Sequence, residues 1–192
     1  AHALRAVIHH VRNEADQATA SRDSALKFSV ADPKVDHLIG RKLSQKYRFR
    51  EGASFQRKAI EAGPEFVPAR IQLAQDLLRL GEEAEGWKLA EEAHKKDGYD
   101  TNLFNLLQLK DSLDRFTTVT SEHFQVRMEK QEATVYGKQV TTLLERAWAD
   151  ATSRYEFTPE TPVIVEIYPR ADDFAVRTFG IPDVAGFLGV CF

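Results

Sequence analysis

The side chains best suited to chemistry in this sequence are six histidines and a few glutamates near them. A helical zinc site of the His-Glu-x-x-His type needs two imidazoles one turn apart, and no two of these histidines have that spacing. Glu91 and His94 have the Glu-x-x-His spacing, but a carboxylate-bridged metal site needs two such copies. We therefore interpret Glu91 and His94 as part of a solvated helix face, and the doublet of His9 and His10 as a helix edge.

The sequence also lacks the motifs of nucleophilic and nucleotide chemistry. It has no Gly-x-Ser-x-Gly elbow, no phosphate-binding glycine loop and no dinucleotide fingerprint. Its single cysteine, Cys191, lies in an apolar run without a neighbouring base. The acidic pairs at 82–83 and 172–173 suit helix N-termini, where the helix dipole favours carboxylates. We predict no complete catalytic site, no metal site and no cofactor in this chain, and leave open whether its parent protein is an enzyme.

Composition and charge narrow the classes of partner. Hydrophobic residues make up 43% and charged residues 29%, which is ordinary for a globular protein. The net charge of -3 and the lack of a long basic run argue against a nucleic-acid partner. No apolar run is long enough to span a membrane. The chain opens with Ala1 instead of methionine and closes on an apolar run, 186–192, so we expect it to be a piece of a longer protein.

The stretch from Pro33 to Asp100 contains the same pattern twice, at a spacing of about 34 residues. Small and aliphatic residues recur at matching places in its two halves. The matching pairs are Ile39 and Leu73, Gly40 and Ala74, Leu43 and Leu77, Gly52 and Gly86, Phe55 and Leu89, and Ala59 and Ala93. Two helices approach closely only where small side chains lie at their crossing, so the pattern predicts two helical hairpins.

This pattern resembles the tetratricopeptide repeat, which sets a small residue after an aliphatic one in helix A and small residues in helix B. Pro64 stands where that family's proline closes a repeat, whereas Gly98 replaces it in the second copy, and Leu43 and Leu77 replace the helix A aromatic. The resemblance implies a helical-repeat domain over residues 1–116. We assign degenerate helices to 1–30, repeats to about 33–66 and 67–100, and a capping helix to 101–116. Within 1–30 we expect one helix through Ala15 and a short second helix that starts at Asp23 or Ser24.

The pattern changes after Phe116. Alternation of apolar and polar residues over 124–129 predicts a half-buried strand, and an apolar stripe between 136 and 151 predicts a long helix. Residues 162–168 read as a second strand, 174–177 as a short helix, and the final run as an edge strand or a loop approaching one. The predicted fold class is therefore α+β, with a helical-repeat stack followed by a smaller, partial α+β domain over 117–192.

Residues 117–192 carry a second resemblance. The run 121–127, the long helix with Val140 and Trp148, and the run 162–165 are similar to the opening of a gluzincin-type metallopeptidase domain fused behind tetratricopeptide repeats in some bacterial proteins. The resemblance implies a zinc-dependent parent enzyme whose metal motif lies beyond Phe192, and a bacterial protein exported to the periplasm or cell envelope. No family ligand or catalytic residue falls within this chain.

Tetratricopeptide arrays bind peptides in the groove that their A helices line. The repeat register places eight residues there: His37, Arg41, Gln45, Gln72, Gln75, Arg79, Asn102 and Asn105. Their amides and guanidinium groups suit the carbonyls and carboxylates of an extended peptide. The cationic clamp that some members use for peptide C-termini is not reproduced, because His37 and Leu106 occupy two of its positions.

We therefore predict a helical-repeat protein–protein interaction module that docks a peptide or orients an attached domain. The alternative is the N-terminal fragment of a zinc metallopeptidase. A third possibility is self-association as a homo-oligomer, which exposed apolar groove residues such as Ile71 and Leu78 would favour.

Overall fold

A computed structural model of the protein describes residues 1–28, 30–184 and 186–191. This part of the chain is mostly helical with one small sheet, as the predicted fold class requires. It divides into two compact units, residues 1–103 with Cys191 and residues 104–190. The division falls inside the seventh helix, and the predicted domain boundary after residue 116 stays a prediction.

The first unit is a stack of three helical hairpins followed by the start of a seventh helix. The helices are α1 His2–Val11, α2 Ala15–Leu26, α3 Pro33–Ser44, α4 Phe49–Ala62, α5 Val67–Arg79, α6 Glu83–Lys96 and α7 Thr101–Leu113. Helices α1 and α2, α3 and α4, and α5 and α6 pack as pairs, while α3 also contacts α1 and α5. The repeating hairpins predicted from the 34-residue spacing are confirmed.

Capping residues fix where the equivalent helices begin. The Asp32 carboxylate accepts from the backbone N–H of Lys34 at 2.9 Å, and Pro33 occupies the first turn, where its missing N–H costs nothing. Asp100 does the same for α7 by accepting from the backbone N–H of Leu103 at 2.8 Å. The first cap lies just before the first predicted repeat, and the second lies just before the predicted capping helix.

Glycines lie where the paired helices cross, as predicted. A Cβ added to Gly52 of α4 would lie 2.1 Å from Ser44 Oγ and 3.1 Å from the carbonyl oxygen of Gly40 on α3. A Cβ added to Gly86 of α6 would lie 2.9 Å from the side chain of Leu78 on α5. Leu78 is only 3% exposed, so the expectation that it is an exposed groove residue was wrong. Its side chain fills the space that Gly86 leaves open.

The first hairpin differs from the sequence-based expectation. Helix α1 ends at Val11, and α2 begins at Ala15, well before the predicted start at Asp23 or Ser24. Asn13 separates the two helices with a positive φ of 59°, a conformation that asparagine tolerates better than most residues. The break between α1 and α2 was not predicted, because Ala15 fits the apolar spacing of α1 although it is the first residue of α2.

Among the described residues of the stack, the most deeply buried polar or charged side chains are those of Asp36, Gln56 and Asp76. Asp36 is 2% exposed and forms a bidentate ion pair with Arg22 of α2, at 2.5 and 2.7 Å. Gln56 and Asp76 are fully buried. Each of the three has hydrogen-bond partners, as buried polar groups require. Through these partners they connect neighbouring helices.

The second unit is a three-stranded sheet with two helices. Its elements after α7 are β1 Phe116–Thr120, β2 Phe124–Glu129, α8 Lys130–Tyr155, β3 Val163–Ile167 and α9 Ala171–Phe179. The sheet order is β1-β2-β3, with β1 antiparallel and β3 parallel to β2. Helix α8 provides the crossover between the parallel strands, and its apolar side packs on Val126 and Met128, both fully buried.

Two features of this unit refine the predictions. Strand β1 was not predicted, because its residues are half-exposed or exposed and give no alternation. Helix α9 is longer than the predicted 174–177 and ends at Gly180, whose φ of 82° suits glycine. Residues 186–191 of the final apolar run form no strand, and Phe192 lies outside the described residues.

Candidate functional site

Two of the eight predicted groove residues have exposed side chains at the C-terminal end of α3. Arg41 and Gln45 lie one turn apart and are both exposed. Gln45 accepts a hydrogen bond from Lys42 Nζ at 2.9 Å, an exposed contact that a ligand can displace at little cost. Both residues lie on the surface, and their place in a peptide-binding groove stays a prediction.

Two other predicted residues serve the packing of the stack. His37 Nδ1 lies 2.9 Å from Gln56 Oε1, and the amide of Gln56 donates to the His37 carbonyl at 3.2 Å. Burial lowers the pKa of His37, although the Gln56 contact opposes that shift. Gln72 donates to Asp76 at 3.0 Å. His37 is thus bound to the neighbouring helix α4, whereas Gln72 is bound within its own helix α5.

The remaining pair in the second hairpin, Gln75 and Arg79, lies one turn apart on α5 and is half-buried. The Arg79 guanidinium carbon lies 5.2 Å from the centre of the Phe49 ring. A guanidinium group over an aromatic ring is held there by the attraction between the cation and the face of the ring. Through Phe49, the end of α5 is connected to the start of α4.

The two predicted asparagines do not form one site. Asn102, in the first turn of α7, is exposed. Asn105 donates to the backbone carbonyl of Gly180 at 3.0 Å, a contact within the second unit. We therefore restrict the candidate site to the groove face, which we define as Arg41, Gln45, Gln75 and Arg79.

A cavity of about 330 Å³ lies beside the groove face, at the α3–α4 turn. We call it the turn pocket. Its lining residues are Tyr47, Arg48, Phe49, Arg50, Glu51, Arg79 and Leu80. Arg79 belongs to both the groove face and the turn pocket, so the two surfaces are continuous.

Within the turn pocket, aromatic and charged side chains form two groups. The rings of Tyr47 and Phe49 meet edge to face, with centroids 5.9 Å apart. Arg48 is bound by its neighbours, because it pairs with Glu51 at 2.6 Å and donates to the backbone carbonyl of His10. Sequence reasoning missed this pocket, because the repeat register identified only Arg79 among its lining residues. The sequence does contain one indication of the pocket. Tyr47 stands in its turn at the place that Gly81 takes in the turn of the next repeat.

The second unit contains a serine, a glutamate and a histidine in contact, which calls for comparison with a catalytic triad. Glu145 Oε1 accepts from Ser121 Oγ at 2.6 Å and from the His123 backbone N–H at 2.9 Å, and Glu145 Oε2 lies 2.6 Å from His123 Nδ1. The hydrogen bonds from Ser121 and His123 lower the pKa of Glu145 to about 2. A nucleophilic serine would donate to the imidazole, whereas this serine donates to the carboxylate. The cluster therefore anchors the β1–β2 turn to α8.

A second charged cluster surrounds Glu166 on β3. Arg177 of α9 donates to both carboxylate oxygens, at 2.8 and 2.9 Å, and Arg127 of β2 approaches at 3.3 Å. Burial alone would raise the pKa of Glu166, but the charge and hydrogen bonds of Arg177, with help from Tyr168 and Arg127, lower it. This cluster fastens α9 to the sheet.

Within the residues that the structure describes, no three histidine, cysteine, aspartate or glutamate side chains are grouped so that they could hold a metal ion. In the same residues, no helix has the length and hydropathy needed to cross a bilayer.

Comparisons with known proteins find similarity among solved structures. No family model matches the chain, and no curated protein matches it. Among solved structures, the chain is similar to the TPR2B domain of yeast Sti1 in its complex with pHsp70. The similarity has 21% sequence identity and a TM-score of 0.40, and it covers 56% of this chain and 86% of that chain. The repeat architecture described above is inferred from the three helical hairpins of the structure and not from this comparison.

Proposed function

We propose that this chain is a protein-interaction module of the tetratricopeptide type, which binds an extended peptide on its groove face. The observation that carries the proposal is the arrangement of that face. At a spacing of 34 residues, Arg41 of α3 corresponds to Gln75 of α5, and Gln45 corresponds to Arg79. Because α3 and α5 are adjacent and equivalent helices, guanidinium and amide groups alternate across the face.

This alternation suits the backbone of an extended peptide. Each residue of such a peptide offers one carbonyl acceptor and one N–H donor that must be paired once water is displaced. The amides of Gln45 and Gln75 can both donate and accept, and the guanidinium of Arg41 can donate to two oxygens at once. The face therefore matches a polar strand-like ligand better than an apolar helix.

The test uses a short fluorescein-labelled peptide of glycine, serine and glutamate, followed by fluorescence anisotropy. Replacing Arg41 by Ala, or Gln75 by Ala, is expected to weaken binding about tenfold, because each change removes a hydrogen bond made to the ligand. Lys88→Ala is the matched control, since Lys88 is an exposed cation on α6, outside the groove face.

Parent-like affinity in both groove variants would contradict the proposal. The double variant Arg41→Ala/Arg79→Ala should lose more than Arg41→Ala alone. Because Arg79 also stacks on Phe49, the thermal unfolding of the double variant has to be measured alongside its binding.

The alternative proposal is that the chain belongs to a zinc-dependent metallopeptidase. Its support is the resemblance of residues 117–192 to the opening of a gluzincin-type domain. It is tested by reading the parent frame beyond Phe192 for His-Glu-x-x-His, the motif that places two zinc-binding imidazoles one helical turn apart. A parent frame without that motif contradicts it.

A further inference from the structure

The long helix α8 has an exposed groove on the side that faces away from the sheet. The sheet side of α8 carries Tyr136, Val140 and Leu144, which pack on the buried side chains of β2. The residues that line the groove all belong to α8, and all of them are exposed. The groove encloses about 670 Å³ and lies within the second unit.

The lining residues form two neighbouring rows along the helix. Residues four positions apart in an α-helix follow one ridge on its surface, and the space between two ridges accepts a ridge of another helix. The first row is Thr134, Lys138, Thr142 and Arg146, and the second is Val135, Gln139 and Leu143. We call the surface of these seven residues the helix groove. Its shape suits a second helix that crosses α8 at an angle of about 50°.

The second row is apolar at both ends. Val135 is 78% exposed and Leu143 is 56% exposed. They are eight residues apart, which is about 12 Å along the helix axis. Single exposed apolar residues are ordinary on a protein surface, but these two lie in one ridge beside the same groove. Apolar side chains of a partner helix placed between them would remove both from water, which stabilises a complex.

The first row supplies positive charge. Lys138 and Arg146 are also eight residues apart, and each follows an apolar residue of the second row by three positions. Within the part of the chain that the structure describes, neither cation forms an ion pair. Each of the two apolar residues therefore has a cation beside it whose charge is available to a ligand.

The acidic residues of α8 do not neutralise these cations, because they are bound elsewhere. Glu132 is hydrogen-bonded to Tyr136, and Asp150 forms an ion pair with Arg154 at 3.0 Å. Glu145 is held in the cluster of the β1–β2 turn. The helix groove is therefore positively charged, although the chain as a whole carries -3.

An anionic membrane is the other kind of surface that exposed cations and apolar side chains can bind. A helix that lies in a membrane interface needs a broad apolar face. In the helix groove, Gln139 separates Val135 from Leu143, and the neighbouring row contains two threonines. This pattern fits the narrow apolar ridge of another helix better than it fits a bilayer.

We infer that the helix groove binds an acidic amphipathic helix of a partner protein. The apolar ridge of that helix lies against Val135 and Leu143, and its carboxylates pair with Lys138 and Arg146. The site belongs to the second unit and does not depend on the peptide-binding proposal for the groove face.

The test uses a fluorescein-labelled, alanine-rich peptide of about 18 residues, a length that permits helix formation in water. Leucine and glutamate each recur in it at every fourth position, in adjacent rows. The full chain is titrated into the peptide, and fluorescence anisotropy measures the affinity. Binding is expected to be about fivefold tighter than for the same peptide with glutamine in place of glutamate, because two exposed ion pairs are lost. Raising the salt concentration should reduce this difference.

The double variant Lys138→Gln/Arg146→Gln should bind the two peptides equally, because it has no cation in the helix groove to distinguish them. Leu143→Ala should weaken the binding of both peptides about fivefold, since it removes apolar contact area. Lys130→Gln is the matched control, because Lys130 is an exposed lysine of the same helix outside the helix groove. It should bind both peptides like the parent protein. All of these side chains are exposed, so the variants should unfold at the parental temperature.

Three outcomes would overturn the inference. The first is equal affinity of the parent protein for the glutamate and glutamine peptides, and the second is parental discrimination in the double variant. The third is an absence of peptide binding together with binding to vesicles of phosphatidylcholine and phosphatidylserine that the double variant loses. That third result would make the helix groove a membrane contact.

The groove face is tested separately with the same peptides. Arg41→Ala lies in the first unit and should leave the affinity for both helical peptides at the parental value. If Arg41→Ala instead removes the difference between them, the glutamates bind at the groove face and the helix groove is excluded. Failure of the groove face with its own extended peptide leaves the expected results for the helix groove unchanged.

Discussion

Ser44 Oγ donates a hydrogen bond of 2.7 Å to Asp76 Oδ2, which connects the first repeated hairpin to the second. Ser44 is the last residue of α3, and Asp76 is fully buried on α5. The missing side chain of Gly52 makes this contact possible, because a Cβ there would lie 3.0 Å from Asp76 Oδ2 and 2.1 Å from Ser44 Oγ. A glycine that lets two helices approach thus also makes room for a buried carboxylate.

We predict that Asp76 makes the first unit less stable as the pH rises from about 4 to 6. Burial raises the pKa of Asp76 to about 6, although Ser44, Gln72 and Arg79 oppose that shift. The folded state therefore holds a proton that the unfolded state has already released, and this stability is lost as the pH rises through the folded pKa. The shift from 3.8 to about 6 corresponds to roughly 3 kcal/mol.

Urea unfolding of the parent protein and of Asp76→Asn at pH 4 and pH 7.5 measures this effect. The asparagine keeps an acceptor for Ser44 but cannot ionise, so the variant should gain stability relative to the parent at pH 7.5 and gain little at pH 4. Identical pH profiles for the two proteins would contradict the prediction.

We predict that Gly52→Ala destabilises the first unit by about 1–3 kcal/mol, because even one added carbon overlaps Ser44 Oγ and forces α3 and α4 apart. Gly98→Ala is the matched control, since the nearest atom to a Cβ there lies 3.8 Å away. Chemical denaturation of both variants measures the difference. A Gly52 variant as stable as the Gly98 variant would mean that α3 and α4 can separate at no cost.

Tyr47 and Gly81 lie 34 residues apart in equivalent turns and share one backbone conformation, with φ angles of 61° and 79°. The shared turn conformation predicts a loss of stability at one position and little change at the equivalent one. Gly81→Ala should cost about 1 kcal/mol, because alanine is strained at a φ of 79°. Tyr47→Gly relieves a strain of similar size but loses a ring contact worth about 1 kcal/mol, so its stability should stay within about 1 kcal/mol of the parent. Thermal unfolding of the two variants checks this. An equal, large loss in both would show that the turns tolerate no change of side chain.

We predict that Glu145 stabilises the second unit at neutral pH, in contrast to Asp76 in the first. Its pKa is lowered to about 2 by the hydrogen bonds from Ser121 and His123, so its contribution is present above the ordinary glutamate pKa and is lost as the pH falls toward 2. Glu145→Gln should therefore lower the unfolding midpoint at pH 7 and matter less at pH 3.

Glu122→Gln is the control for that experiment, because the Glu122 side chain is 83% exposed and lies 3.9 Å from His123. It should unfold like the parent at both pH values. A Glu145 variant that also unfolds like the parent at pH 7 would show that the β1–β2 turn is held by other contacts.

The repeated hairpins could be predicted from the sequence because their cause is local and periodic. Gly52 and Gly86, or Ala59 and Ala93, recur at the spacing of one hairpin, and small residues are what a close helix crossing requires. Strand β1 could not be predicted in this way. Its residues Phe116–Thr120 are partly exposed, and they become a strand only because β2 lies beside them to pair with.

The candidate site was predictable only in part. The repeat register identifies equivalent positions such as Arg41 and Gln75, but it does not reveal which side chains are already bound. His37 and Gln72 pair with Gln56 and Asp76, polar residues whose burial depends on tertiary packing. The strain at Tyr47 is likewise visible only once backbone angles are known.

The chain has two tryptophans, and each compact unit contains one of them. Trp87 is buried in the first unit and donates to Glu83 at 2.6 Å, whereas Trp148 in the second stacks on the His123 ring at 4.4 Å. The indole emission of Trp87→Phe and Trp148→Phe variants therefore gives a separate optical readout of each unit. With these intrinsic probes, the unfolding of one unit can be followed separately from the unfolding of the other, without attaching a dye.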